Sequence, residues 1–173
     1  MKNLFISAIL GLALAFSARA ADVSVKLTDV HICCQNCIKG VQKAVGTVPG
    51  VTAEADMDEG TVSLVGPDTA TVQKAVDALT AAGYFGKSSD PNIKVNAETG
   101  AKGQMVQSLQ VEGVHLCCGK CVKSVNAALS SVTGVTTNTA AKGARSFTVT
   151  GNFNDKEVFD ALQKAGLTGK VGQ

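Results

Sequence analysis

The chain has 173 residues, enough for one medium domain or two small ones, with 16 basic residues against 14 acidic ones and no Trp, one Tyr and six Phe. No Lys/Arg run and few aromatic rings leave neither an electrostatic footprint nor a stacking platform for nucleic acid. The six cysteines and two histidines are confined to two short stretches, so any chemistry rests on sulfur and imidazole at two places.

The first twenty residues are set apart. Lys2 gives a positive start, Leu4 to Phe16 is nearly unbroken apolar sequence, and Ala18-Arg19-Ala20 offers the small residues a signal peptidase reads. The apolar run is shorter than the roughly 20 residues needed to span a bilayer. Residues 1–20 are read as a cleaved export signal, which places the protein in the periplasm or outside the cell. Removing them takes away Lys2 and Arg19 and no acid, so the mature chain is neutral. No later segment is apolar enough for a membrane, and no membrane association is expected after cleavage.

The mature sequence repeats itself. His31-Ile32-Cys33-Cys34-Gln35-Asn36-Cys37 recurs 84 positions later as His115-Leu116-Cys117-Cys118-Gly119-Lys120-Cys121, and Gly50-Val51-Thr52 recurs as Gly134-Val135-Thr136. After a one-residue deletion, Ala82-Gly83 matches Ala165-Gly166 and Gly86-Lys87 matches Gly169-Lys170. In the first copy Val23, Val25 and Leu27 alternate as a half-buried strand, and the cysteine stretch follows. Ile38, Val41, Ala44, Val45 and Val48 then recur at helical spacing up to Pro49-Gly50. Val51, Ala53, Ala55 and Met57 alternate again, Asp58-Glu59-Gly60 turns the chain, and Val62 and Leu64 form the second arm of a hairpin. Asp68 or Thr69 can cap a second helix carrying Val72, Ala75, Val76 and Leu79, closed by Gly83. Ile93 and Val95 are expected to end the unit as a short strand.

The second copy supplies Leu109 and Val111, a helix through Val122, Val125, Ala128, Leu129 and Val132, and a strand with Phe147 and Val149. Its last helix starts at Asn154, with Glu157 placed for a capping box, and its last strand falls in Leu167 to Val171. The order β-α-β-β-α-β, twice, predicts an α+β protein of two tandem ferredoxin-like units, each an antiparallel four-stranded sheet with two helices on one face. The expected division is domain 1 over 21–97, a linker over 98–104 and domain 2 over 105–173.

Structural disulfides usually spread along a chain and close long loops. Here the cysteines come as two tight groups of three, where Cys34 and Cys37 could bridge but Cys33 would be left over. That arrangement suits metal ligation better. In each copy the first cysteine of the Cys-x-x-Cys pair lies in the loop and the second in the first helical turn, so both sulfurs converge beside unpaired backbone N–H groups and the positive end of the helix dipole. Both effects favour thiolate, the form that binds metal or attacks disulfides, and soft thiolates select Cu(I), zinc and other thiophilic ions.

At this point the chain resembles the heavy-metal-associated domain family of soluble copper chaperones, metal-pumping ATPase tails and periplasmic mercury-binding proteins. That family carries Gly-Met-x-Cys-x-x-Cys, a helix, a Gly-Val step, two strands and a helix ending in Ala-Gly-Tyr. Cys34, Cys37, Gly50-Val51 and Ala82-Gly83-Tyr84 match it in the first copy. Cys118, Cys121, Gly134-Val135 and Ala165-Gly166 match in the second, where Leu167 replaces the Tyr. The resemblance implies metal held by Cys34/Cys37 and by Cys118/Cys121. The departures are His31-Ile32 and His115-Leu116 in place of Gly-Met, and Cys33 and Cys117 before each pair. Ile32 and Leu116 can keep the packing role of the Met. Cys33, Cys117, His31 and His115 then stand as additional candidate ligands, four per unit. Four suit a tetrahedral ion such as zinc, three thiolates suit trigonal Cu(I), Hg or Cd, and facing units could share a multinuclear Cu(I)–thiolate cluster. Against ligation, Cys33 and Cys117 could be buried small hydrophobes, the histidines could be structural, and Tyr84 could either cover the loop or belong to the core. Lys39, Lys120 and Lys123 are read as solvated charge near the thiolates.

The expected function is an exported carrier, chaperone or buffer for a thiophilic metal, Cu(I) first and zinc second, exchanging its ion with a metal-exporting or metal-accepting protein. It is expected not to be an enzyme. The alternatives are a thiol–disulfide oxidoreductase using the Cys-x-x-Cys pairs and a scavenger of Zn, Hg or Cd. A Ser–His–Asp hydrolase is excluded because both histidines lie inside the cysteine stretches.

Overall fold

A computed structural model describes residues 22–172. Residues 1–20, read above as an export signal, lie outside it. No helix of the described residues is long and apolar enough to cross a membrane. The chain forms two units of the same topology, in the order β1 (Val23–Thr28), α1 (Gln35–Val45), β2 (Thr52–Asp56), β3 (Thr61–Gly66), α2 (Thr69–Ala81), β4 (Lys87–Ser88), and then β5 (Met105–Glu112), α3 (Gly119–Ser130), β6 (Val135–Asn138), β7 (Ser146–Asn154), α4 (Asp155–Lys164), β8 (Lys170–Val171). The sheets run β2-β3-β1-β4 and β6-β7-β5-β8, antiparallel throughout. This is the α+β, ferredoxin-like pattern in tandem.

Period-two alternation makes the strands one-sided. Val25 and Leu27 of β1 and Val62 and Leu64 of β3 point to the core, where they meet Val41 and Val45 of α1 and Val72, Val76 and Leu79 of α2. In the second unit Phe147, Val149, Phe153, Val158, Phe159 and Leu162 do the same work with larger rings. Asp68 caps α2 by accepting from the Thr71 N–H at 2.7 Å, and Asn154 caps α4 by accepting from the Lys156 N–H at 3.0 Å. The buried Asp155 carboxylate accepts from the N–H groups of Lys102 and Gln104, both at 2.9 Å, which ties the connecting segment to the second unit.

One expected strand is misplaced. Ile93 and Val95 lie outside any strand, and the edge strand of the first unit is Lys87–Ser88, paired with β1 through Leu27↔Ser88 and Thr28↔Lys87. Ile93 is buried all the same, so its apolar character reports a loop residue plugging the core. The repeat itself points to the true strand, since Gly86-Lys87 corresponds to Gly169-Lys170 at the start of β8.

The two units meet at corresponding turns. Tyr84 and Leu167, each just after its helix, form an antiparallel bridge with one another. The Thr168 N–H donates to the Gly83 carbonyl at 3.0 Å, while the Phe85 and His31 N–H groups donate to the Gly166 carbonyl at 3.1 and 3.2 Å. Gly83 (φ +88°) and Gly166 (φ +75°) are required here twice over. Both sit in the left-handed region, and a Cβ on either would collide with backbone of the opposite unit, the Gly113 carbonyl in one case and the Asp29 carbonyl in the other.

Candidate metal centre

The joined turns aim the two cysteine stretches at each other. Cys34 is the N-cap residue of α1 and Cys118 that of α3, both in extended conformation. Cys37 and Cys121 fall at the third helical position and are fully buried, and Ile32 and Leu116 anchor each loop in its core. Neither N-cap sulfur makes a full capping hydrogen bond, and both face the opposite unit.

All six sulfurs converge. Within the first unit Cys33 and Cys37 lie 3.6 Å apart and Cys34 and Cys37 3.8 Å apart; within the second, Cys117 and Cys121 are separated by 3.7 Å and Cys118 and Cys121 by 3.8 Å. Between units, Cys33 lies 3.4 Å from Cys118 and 3.5 Å from Cys121, and Cys117 lies 3.6 Å from both Cys34 and Cys37. Exchanging Cys33 with Cys117, Cys34 with Cys118 and Cys37 with Cys121 maps every one of these contacts onto another. The chain therefore builds within itself the self-complementary contact of a two-fold dimer.

The most compact three-sulfur groups are crossed, although Cys117, Cys118 and Cys121 of the second unit also lie within 4.8 Å of one another. Cys33 completes a triangle with Cys118 and Cys121 of the other unit, with sides of 3.4, 3.5 and 3.8 Å. Cys117 completes the reciprocal triangle with Cys34 and Cys37, with sides of 3.6, 3.6 and 3.8 Å. The two triangles are disjoint and use all six sulfurs. The centre of each lies about 2.1 Å from its corners, close to the roughly 2.3 Å of a metal–thiolate bond. An additional cysteine that looks in sequence like a third ligand for its own loop thus stands where it can serve the opposite one.

Burial and mutual hydrogen bonding set the protonation of the cage. Cys37 is drawn down to about 2, first by a hydrogen bond from the Cys121 thiol and then, against the cost of burial, by His115. Its counterpart Cys121 is pushed up, first by its bond to Cys37 and then by burial. Cys37 and Cys121 are symmetry mates, so these opposite directions describe one proton shared by a pair. Cys118 falls to about 6, first through the Cys121 backbone N–H at the start of α3. Burial, the largest cause for both, raises Cys33 to about 12 and also raises Cys117. At neutral pH the metal-free cage holds some thiolates and some thiols, and cations must displace protons to fill it.

The histidines stand behind the sulfurs and differ. Tyr84 is buried, and its hydroxyl donates to the Cys37 carbonyl at 2.9 Å. Its one proton spent there, the hydroxyl accepts from His115 Nε2 at 3.1 Å, with ring centroids 4.6 Å apart. His31 Nδ1 faces the Ser124 hydroxyl at 3.3 Å, and His31 Nε2 is buried without a hydrogen-bond partner. Burial lowers the His31 pKa, opposed by Cys37. Tyr84 covers the loop and belongs to the core at once. Lys39, Lys120 and Lys123 are exposed. An open cleft of about 650 Å³ lined by Ala82, His115, Cys117, Arg145 and Lys170 reaches the second loop from solvent.

Two sheets carrying paired helices, with thiols gathered where the first helix of each begins, define a thiol-rich architecture whose converging sulfurs could hold a metal ion. Residues 27–85 match the sequence model of the heavy-metal-associated domain. The second unit lies outside the matched residues and shares the topology. Among solved structures, the chain is similar to a copper-binding domain of HMA7, a P-type ATPase, at 24% identity over 39% of this chain and 96% of that one, with a TM-score of 0.36. It is also similar to the N-terminal soluble domains of Bacillus subtilis CopA at 16% identity over 88% of this chain and 95% of that one, with a TM-score of 0.34. Both superpositions are loose.

Proposed function

We propose that the protein is an exported carrier or buffer for Cu(I), which it holds in a cage of thiolates formed jointly by its two units. The observation that carries this is the pair of crossed triangles, Cys33/Cys118/Cys121 and Cys34/Cys37/Cys117, with sulfur separations of 3.4–3.8 Å. Three soft donors converging at this spacing suit a monovalent thiophilic ion that accepts trigonal coordination. Six thiolates around two monovalent ions leave excess negative charge, so sharing sulfurs among further ions is electrostatically favourable. Residues 1–20 support export and the periplasmic or secreted location. The division into domain 1 over 21–97, linker over 98–104 and domain 2 over 105–173 belongs to the same reading.

The role is binding and delivery, without catalysis. The sulfurs face one another, and the cleft beside Cys117 offers an accepting protein's thiolate one route for exchanging ligands with the bound ion. The test is anaerobic titration of the reduced protein with Cu(I) against a competing Cu(I) chelator. Two or more ions bound tightly per chain are expected. Failure to compete with the chelator, or saturation at one ion per chain, overturns the reading.

A further inference from the structure

The cage is two-fold symmetric in its sulfurs and asymmetric in what stands behind them. Around His115 the first unit places Gly40 and Tyr84; around His31 the second places, at the corresponding positions, Ser124 and Leu167. The exchanges are linked. A Cβ at residue 40 would collide with the Tyr84 hydroxyl and lie 3.0 Å from His115 Cε1, so Gly40 is what admits the Tyr84–His115 pair. Leu167 has no hydroxyl to offer His31, and the Ser124 hydroxyl lies 3.3 Å from His31 Nδ1.

The consequence falls on two nitrogens. His115 Nε2 carries a proton, because it donates to a hydroxyl whose own proton goes to the Cys37 carbonyl. That nitrogen has no lone pair for a metal. His31 Nε2 has no partner at all, although a buried imidazole nitrogen left unsatisfied is destabilising. When Nδ1–H donates to Ser124, the lone pair lies on Nε2, the pattern by which a second group fixes a ligand histidine's tautomer and orientation. A ring nitrogen of His31 lies within 4.8 Å of the Cys33 and Cys121 sulfurs. Among the described residues, His115 belongs to no such group.

We propose that the cage has two unlike ends, a four-coordinate Cys3His site made by Cys33, Cys118, Cys121 and His31 that takes a tetrahedral divalent ion of the zinc class, and an all-sulfur end made by Cys34, Cys37 and Cys117. Three thiolates and one neutral imidazole are a donor set that four-coordinate zinc accepts, and three thiolates against a dication leave less negative charge than against a monovalent ion. His31 is thus a ligand, Ser124 the residue that positions it, and His115 a structural clasp. This deepens the Cu(I) reading and rests on the cage binding metal.

The test uses Co2+ as a spectroscopic probe of the reduced protein, with Zn2+ displacement and, separately, Cu(I) titration of every variant. The first equivalent of Co2+ is expected to give tetrahedral d–d bands with sulfur-to-metal charge transfer. His31→Ala should weaken Co2+ binding at least about tenfold and shift those bands, Ser124→Ala should weaken it about two- to fivefold, and His115→Ala should leave it within about twofold. The ring 15N shifts of His31 should report metal on Nε2 in the Zn2+-loaded protein. Equal losses in His31→Ala and His115→Ala, or an unchanged affinity and spectrum in His31→Ala, overturn the inference. Cu(I) binding retained in His31→Ala shows that this variant is folded, and wild-type protein that binds Cu(I) but no Co2+ sinks this inference alone. Absence of Cu(I) binding in the wild type sinks the function reading itself.

Discussion

In the first unit the space behind Cys37 is filled by Tyr84, which Gly40 admits and which engages His115. In the second, Ser124 and Leu167 occupy the corresponding positions, and His31 keeps a buried nitrogen without a partner. The sulfurs in front show no such difference, each contact in one half having its counterpart in the other within about 0.2 Å. The sulfurs form a two-fold symmetric cage, and the residues behind them differ between its two ends. The difference lies in the supporting residues, where a change can alter a site without removing a ligand.

The largest effect is expected from removing the symmetric part. The double variant Cys33→Ser/Cys117→Ser takes one corner from each triangle and leaves two Cys-x-x-Cys pairs that no longer share ligands. Cu(I) affinity should fall on the order of a hundredfold or more, above the range for losing a supporting group, as read by chelator competition. Next comes the interface that brings the halves together. Gly166→Val places a side chain against the Asp29 carbonyl and the His31 N–H, so Cu(I) affinity should drop about tenfold or more while far-UV circular dichroism shows both units still folded. Unchanged affinity would mean that the cage does not depend on this contact.

Proton displacement gives the third prediction. Cys33, raised to about 12, and Cys117, also raised, are protonated at neutral pH, whereas Cys118, at about 6, is already ionised. Filling either triangle releases at least one proton, so apparent metal affinity should rise about tenfold per pH unit per proton released between roughly pH 6 and 9. Below about 6, Cys118 also takes up a proton and the fall steepens. In metal-free protein the sign for stability is opposite. The raised Cys33 value contributes stability that is present below about 9 and lost as pH climbs toward about 12, which thermal melts across that range can follow.

Smaller effects sharpen the comparison. Gly40→Ser/Tyr84→Leu gives the first unit the surroundings of the second and frees His115, so the protein should acquire a second Co2+ site with a spectrum like the first. Tyr84→Phe, which removes only the hydroxyl, should cost about 1 kcal/mol of stability and change Cu(I) affinity less than about threefold, by denaturant melts and chelator competition.

Much of this was legible in the chain. Alternation at Val23, Val25 and Leu27, helical spacing from Ile38 to Val45 and the offset repeat are enough to expect two ferredoxin-like units. The concentration of sulfur was plain, and facing units were foreseeable as one arrangement. Ile93 misled because burial in a loop and burial in a strand leave the same apolar mark, and a two-residue edge strand has no periodicity to read. The crossing of Cys33 and Cys117 was hidden because sequence adjacency to Cys34 and Cys118 suggests service to the same loop. Only the meeting of the Gly83 and Gly166 turns sends each sulfur across. The unlike histidines had a trace in the sequence, in Gly40 facing Ser124 and Tyr84 facing Leu167 across the repeat. Its meaning depends on a contact between units that no spacing rule describes.

The most direct measurement of the crossed arrangement is alkylation mapping by mass spectrometry of the metal-loaded Cys33→Ser protein, scored cysteine by cysteine. If the triangles are crossed, metal should lose its protection of Cys118 and Cys121 in the second unit while Cys34, Cys37 and Cys117 stay protected. Loss of protection at Cys34 and Cys37, with Cys118 and Cys121 still shielded, would show that each unit binds with its own three sulfurs and would contradict the joint cage.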